Sequence, residues 1–221
     1  MLRLASLKKI TIPRPNTLLF EEKCYIPGEI FKKDWSKIYE QLRTFSLKSP
    51  IRENFLDYIP KETGFFGFQT HPQTKKENYF HLGISLALPS NTKIFPVLSG
   101  ILEYSGYGAV NGHYVLLSHP EIQTEDGYVL HSMYCHLKKP LVKFSSYQKM
   151  LREISLGSYP LVEIAEDTEL GIASFSGVAS KDTPTLYLQL SFRKFGEDPI
   201  ILDPARVFYR RDETKKSKAR D

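Results

Sequence analysis

Six histidines are the residues best suited to chemistry in this chain: His71, His81, His113, His119, His131 and His136. An imidazole can ligate a metal or move a proton near neutral pH. No pair among them has HExxH or HxxxH spacing, so zinc held from one helix face is not indicated. The two cysteines, Cys24 and Cys135, are far apart in sequence and form no CxxC unit. That argues against a zinc ribbon or redox pair and leaves a disulfide or, the favoured reading, two small buried hydrophobes. Any histidine site must therefore be assembled from several separate segments.

The segments available are mostly strands. From residue 80 onward, short runs such as HLGISLAL, GILEYSGYG, HYVLLSH, GYVLHSMYCHL, TELGIASFSG and TLYLQLSFR follow at close intervals, punctuated by Gly or Pro. Several alternate apolar and polar residues, as a half-buried strand does. Fourteen Phe, thirteen Tyr and fourteen Pro also favour strands and irregular loops. Residues 1–30 read as short β pieces broken at Pro13, Pro15 and Pro27-Gly28. Over 30–46, Phe31, Trp35, Ile38, Tyr39 and Leu42 recur at helical spacing, which predicts an amphipathic helix packed on the β region. The stretch 47–79 reads as ordered loop, and 145–155 as a helix or loop within an insertion. Alternation along the 128–137 strand places His131 on the face opposite His136, because the two are five apart.

The order of short blocks over residues 80–205 resembles the LytM/lysostaphin-type metalloendopeptidases. The blocks are Phe80-His81-Leu82-Gly83-Ile84-Ser85, Pro96-Val97-Leu98-Ser99-Gly100, Gly106-Tyr107-Gly108, Val115-Leu116-Leu117-Ser118-His119 and Tyr134-Cys135-His136-Leu137. They continue with Gly171 to Gly177, Tyr187 to Arg193, and Leu202-Asp203-Pro204. The family reads HxGxD, PVxG, GYG, VxIxH, YxHL, GxxGxTG, HxHFE and DP in the same order. The gap between 137 and 162 exceeds that of a minimal family domain and implies an insertion.

The resemblance implies a mainly β fold: an antiparallel sheet or barrel-sandwich-like domain (the duplicated hybrid motif) with a short helical N-terminal segment. It divides the chain into an N-terminal segment at 1–50, a β domain at 51–209 and a charged tail at 210–221. It also implies a zinc site and a groove for bacterial peptidoglycan peptides. Carried over position by position, His81 matches the first zinc ligand, and Ser85 stands where the family has Asp. His136 matches the catalytic His of YxHL. Tyr187 and Gln189 stand where the HxH pair supplies a catalytic His and the last ligand. Tyr107 and Tyr134 fall on the groove. One of three ligands survives, and Ser and Gln offer only neutral oxygens, which suit zinc poorly. His71, in an unmatched loop, is the residue left to complete a metal site.

These readings predict a catalytically degenerate domain that binds a peptidoglycan peptide or a protein partner, with no cofactor expected, or zinc if the site proves functional. The alternatives are an active zinc endopeptidase with a rearranged metal set and a structural component of an envelope assembly. The formal charge of +5 is mildly basic and concentrated in the tail, so no nucleic-acid partner is expected. No run reaches the ~18 apolar residues of a membrane span. The resemblance points to the cell envelope, whereas the N-terminus, interrupted by Lys8, Lys9 and Arg14, makes a poor signal peptide and leaves the cytoplasm open.

Overall fold

A computed structural model describes residues 36–60, 64–69, 79–125, 127–141, 162–177, 182–197 and 199–208. His71, Cys24, Trp35, the 1–30 pieces, the 145–155 segment and the charged tail lie outside the described residues.

Eleven strands are described: β1 Gly67–Gln69, β2 Tyr79–His81, β3 Ile84–Ala87, β4 Lys93–Ile94, β5 Gly100–Gly108, β6 Gly112–Gln123, β7 Val129–Leu137, β8 Glu163–Ile164, β9 Gly171–Ile172, β10 Thr185–Arg193 and β11 Ile200–Leu202. The main sheet runs β11-β10-β7-β6-β5-β8, and β3 joins the same side of β10 as β11, further toward its start. Two small antiparallel pairs, β1-β2 and β4-β9, complete the set. All described pairings are antiparallel, so the fold is mainly β with short helices, as the strand patterning predicts.

Alternation explains how the sheet is used. Val115 and Leu117 on β6, Leu130 and Tyr134 on β7, and Leu186, Leu188, Leu190 and Phe192 on β10 are all fully buried on one face. The opposite face carries Tyr187, Gln189, Ser191 and Arg193 from β10, and the register sets Met133 and His131 of β7 beside Gln189 and Ser191. Residues directly opposite in an antiparallel pair share a face. Tyr134 was expected in the groove, but it lies on the core face, wholly buried, where its oxygen accepts the Val97 N–H at 2.8 Å. The aromatic body fills the core while the hydroxyl satisfies a buried backbone donor.

The predicted helix appears as α1, Ser36–Arg43. Its Tyr39 and Leu42 are buried in the main core. Tyr39 reaches the far end of the fold: its hydroxyl accepts the Asp203 N–H at 3.0 Å, and the Arg206 guanidinium sits 4.9 Å above its ring. The Asp203-Pro204 step opens the second helix, α2, Pro204–Phe208, with Asp203 Oδ1 capping the Ala205 N–H at 3.0 Å. The helix therefore packs on the β region, as its apolar stripe predicts.

His119 shows what a satisfied core histidine looks like. It is 1% exposed, its Nδ1–H donates to Ser99 O at 2.9 Å, and its Nε2 accepts the Ser132 hydroxyl at 2.8 Å. Burial pushes its pKa down to about 4, so it stays neutral in the folded state. An unfolded histidine titrates near 6.5. The unfolded chain therefore binds more protons between those values, and stability falls as pH drops from about 6.5 to about 4. This one group contributes on the order of 3 kcal/mol. His131 and His136, also pushed down by burial, add losses of the same sign. Urea unfolding across this range should show the loss, and His119→Asn should remove the largest part of it.

Candidate functional site

The site forms where β2, β3, β7 and β10 meet. Ser85, Tyr187 and Cys135 lie in one row across β3, β10 and β7. His81 ends β2 just before β3, and the turn at Leu82-Gly83 brings its ring to Tyr187, with centroids 5.2 Å apart. The His136 ring lies 6.5 Å from Tyr187 on the other side. With Gln189 of β10 reaching Leu82 O at 3.3 Å, the five positions singled out in the sequence come together from four strands.

His136 arrives by a route that alternation alone does not predict. Between the pairs Val115↔Tyr134 and His113↔Leu137 the register slips, giving β7 one residue more than β6. The extra residue is accommodated by a left-handed backbone at His136, with φ 64°. Such a bulge re-aims a side chain. It turns the His136 ring toward Tyr187, and it breaks the simple parity on which His131 and His136 were expected to face opposite ways. His131 in fact shares the Tyr187 face, but four residues from Cys135 along β7 it is about 13 Å away and cannot complete the cluster.

Each histidine is fixed by a backbone carbonyl. His81 Nδ1–H donates to Phe65 O at 2.9 Å, and His136 Nδ1–H donates to Ser176 O at 2.8 Å. A carbonyl can only accept, so each bond defines the tautomer and points Nε2 into the site. Burial lowers the His136 pKa, which keeps that ring neutral with a bare Nε2 acceptor. Ser176 is a hub that the sequence blocks contained without marking: its hydroxyl donates to Leu137 O at 2.8 Å and accepts the His113 N–H at 3.2 Å. Space for it comes from Gly112, at φ 61°, where a Cβ would lie 2.1 Å from Ser176 Oγ. Tyr107 is 61% exposed at the end of β5, its ring against His113 at 5.0 Å between centroids.

Donor chemistry tests whether a metal fits the described residues. His81 Nε2 points to the place a metal would take, and the Ser85 hydroxyl occupies that direction, 3.2 Å away. Gln189, 4% exposed, donates its Nε2–H to Leu82 O at 3.3 Å, and its Oε1 has no partner among the described residues. Among the described residues the set around His81 is one imidazole, one hydroxyl and one amide, with no carboxylate to offset the charge of a divalent ion. Among the described residues no group of three or more His, Cys, Asp or Glu is placed to hold a metal. Zinc does not fit these residues. Cys135 behind Tyr187 is a free, buried thiol whose pKa is raised by desolvation, so it is no thiolate ligand.

No family model and no curated protein matches the chain. Solved structures to which it is similar include a zinc containing peptidase from Vibrio cholerae, at 19% identity and a TM-score of 0.48 over 75% of this chain. The chain covers 40% of that protein's length. The catalytic domain of lysostaphin from Staphylococcus simulans gives 18% identity and a TM-score of 0.44, with 71% of this chain and 95% of that one covered. The SpoIIQ-SpoIIIAH pore forming complex gives 13% identity and 0.48, with 79% and 98% covered. Overall likeness at this level leaves the functional reading to the local geometry of the His81–Tyr187–His136 cluster. No helix among the described residues is long and apolar enough to cross a membrane.

Proposed function

We propose that this chain is a catalytically degenerate LytM/lysostaphin-like domain whose groove binds rather than cleaves. The observation that carries the reading is the Ser85–His81 hydrogen bond: a neutral hydroxyl satisfies the imidazole nitrogen that would otherwise face a metal. The remaining groups act together as a recognition surface. His136 Nε2 and Gln189 Oε1 offer acceptors, and Tyr187 between the two histidines offers an aromatic wall. Phe65 and Phe175, each adjacent in sequence or by backbone bond to a histidine anchor, are about half exposed and extend the apolar border. A peptidoglycan peptide or a partner protein segment, extended along the groove, fits this mixture of buried acceptors and aromatic edges.

Sedimentation with purified peptidoglycan separates the readings. The protein is expected to be retained by the pellet, or by a partner protein, while releasing no peptide ends. Chelator-sensitive cleavage that disappears in His81→Ala would show an active zinc endopeptidase and end this reading. Absence of retention by peptidoglycan and by any envelope protein would favour a purely structural role.

A further inference from the structure

The face that carries Tyr187 and Gln189 continues into a second polar cluster at the far end of β10. Ser118, His131 and Ser191 stand in one row across β6, β7 and β10. Arg193 follows two positions after Ser191 on the same face, and its Nε–H donates to Ser191 Oγ at 3.0 Å. The Arg193 side chain is only partly exposed, and that bond to Ser191 is its one hydrogen bond among the described residues. The acidic group nearest to it in effect, Glu103, is exposed and takes the Ser118 hydroxyl at 2.6 Å. His131 turns its Nδ1–H away, onto Val129 O at 2.9 Å. Desolvation depresses the Arg193 pKa, and the Glu103 carboxylate offsets only part of that loss.

A guanidinium has five N–H donors arranged to grip a carboxylate with two parallel bonds, and among the described residues one is used. Four residues back along the same strand face, the buried Gln189 Oε1 lacks a donor among the described residues. Because Arg193 Nε folds back to within 3.0 Å of Ser191 Oγ, the guanidinium starts about 7 Å along the strand from Gln189, the length of roughly two extended residues.

We propose that the groove takes an extended, carboxylate-bearing peptide, with the carboxylate on Arg193 and Ser191 and an N–H of the same ligand on Gln189 Oε1. The assignment rests on the groove-binding reading above and adds the charge class of the ligand and its direction along β10. The same chemistry serves a C-terminal carboxylate or an acidic side chain.

Three probes test it: an acetylated four-alanine peptide with a free C-terminal carboxylate, its C-terminal amide, and the amide ending in glutamate. Binding is followed by NMR on 15N-labelled full chain, reading the Arg193 Nε–Hε signal. At least one carboxylate peptide is expected to bind about tenfold or more tighter than the neutral amide and to move the Arg193 signal. Whichever of the two binds identifies the source of the carboxylate. Arg193→Gln should abolish the difference, Arg193→Lys should keep part of it, and Lys139→Gln, an exposed charge elsewhere, should leave it intact. If Arg193→Gln fails to fold, the wild-type signal and the Lys variant still decide. Equal affinity for charged and neutral peptides overturns the carboxylate assignment and leaves the groove reading standing. No binding of any peptide overturns both.

Discussion

The double variant Ser85→Asp/Gln189→His should bind zinc more tightly than the parent chain by orders of magnitude. The parent presents His81 Nε2 with a hydroxyl 3.2 Å away. A carboxylate at position 85 starts from the same Cα, adds charge and reaches the same direction. Gln189 lies on the Tyr187 face, and its side chain already extends to Leu82 O, beside His81. An imidazole there would aim into the same space. Three ligands with one open position form the minimal catalytic-type zinc site, and binding of this kind is also folding free energy. Zinc titration of the variant beside the parent, with thermal stability read in parallel, checks both effects. Cleavage need not follow, because Tyr187 stands between the two histidines and would have to become His as well. Equal zinc affinity in variant and parent would mean that the side chains at 81, 85 and 189 do not converge, as they would not if residue 189 faced the other side of the sheet.

Gly83→Ala is expected to be among the most destabilising single-methyl changes in the domain. A Cβ at Gly83 would lie 2.3 Å from Leu188 O and 2.9 Å from Tyr187 Cζ. The ring can rotate away, but the carbonyl belongs to the β3–β10 ladder and cannot move without breaking the Ile84↔Leu188 register. Overpacking against backbone costs about 3 kcal/mol. For a chain of this size that corresponds to a fall in Tm of roughly 6–12 °C. Differential scanning calorimetry checks it, and a loss within 1–2 °C of zero (about 0.5 kcal/mol by the same scaling) would show that the β2–β3 turn is looser than described. The glycine of this block is therefore needed for close backbone approach whether or not the site does chemistry.

Much of the site was legible because strand register is coded locally. Ser85, Tyr187 and Gln189 sit in short runs whose apolar partners, Ile84, Leu86, Leu188 and Leu190, are wholly buried, so which residues face the groove follows from period two. The α1 stripe was readable for the same reason, through Tyr39 and Leu42. What escaped was set by irregular backbone. Simple parity fails at His136, because the β7 bulge and its positive φ leave no periodic trace, and the face given to His131 was wrong for that reason. The block around Tyr134 points to the groove, although parity with Ser132 and Leu130 places it in the core. The carbonyl anchors from Phe65 and Ser176 carry no side-chain signature. The Ser176-Gly177 step, with Gly177 at φ 75°, was the visible sign of a tight turn at that anchor.

In the proposed reading the His81 cluster is held by hydrogen bonding to Ser85 in place of metal coordination. The most direct test of that reading is zinc stoichiometry in the full chain after loading with zinc and gel filtration, measured by elemental mass spectrometry for the parent and for His81→Ala. Far less than one zinc per chain is expected in the parent, with no change in the variant. One zinc per chain in the parent, lost in His81→Ala, would contradict it.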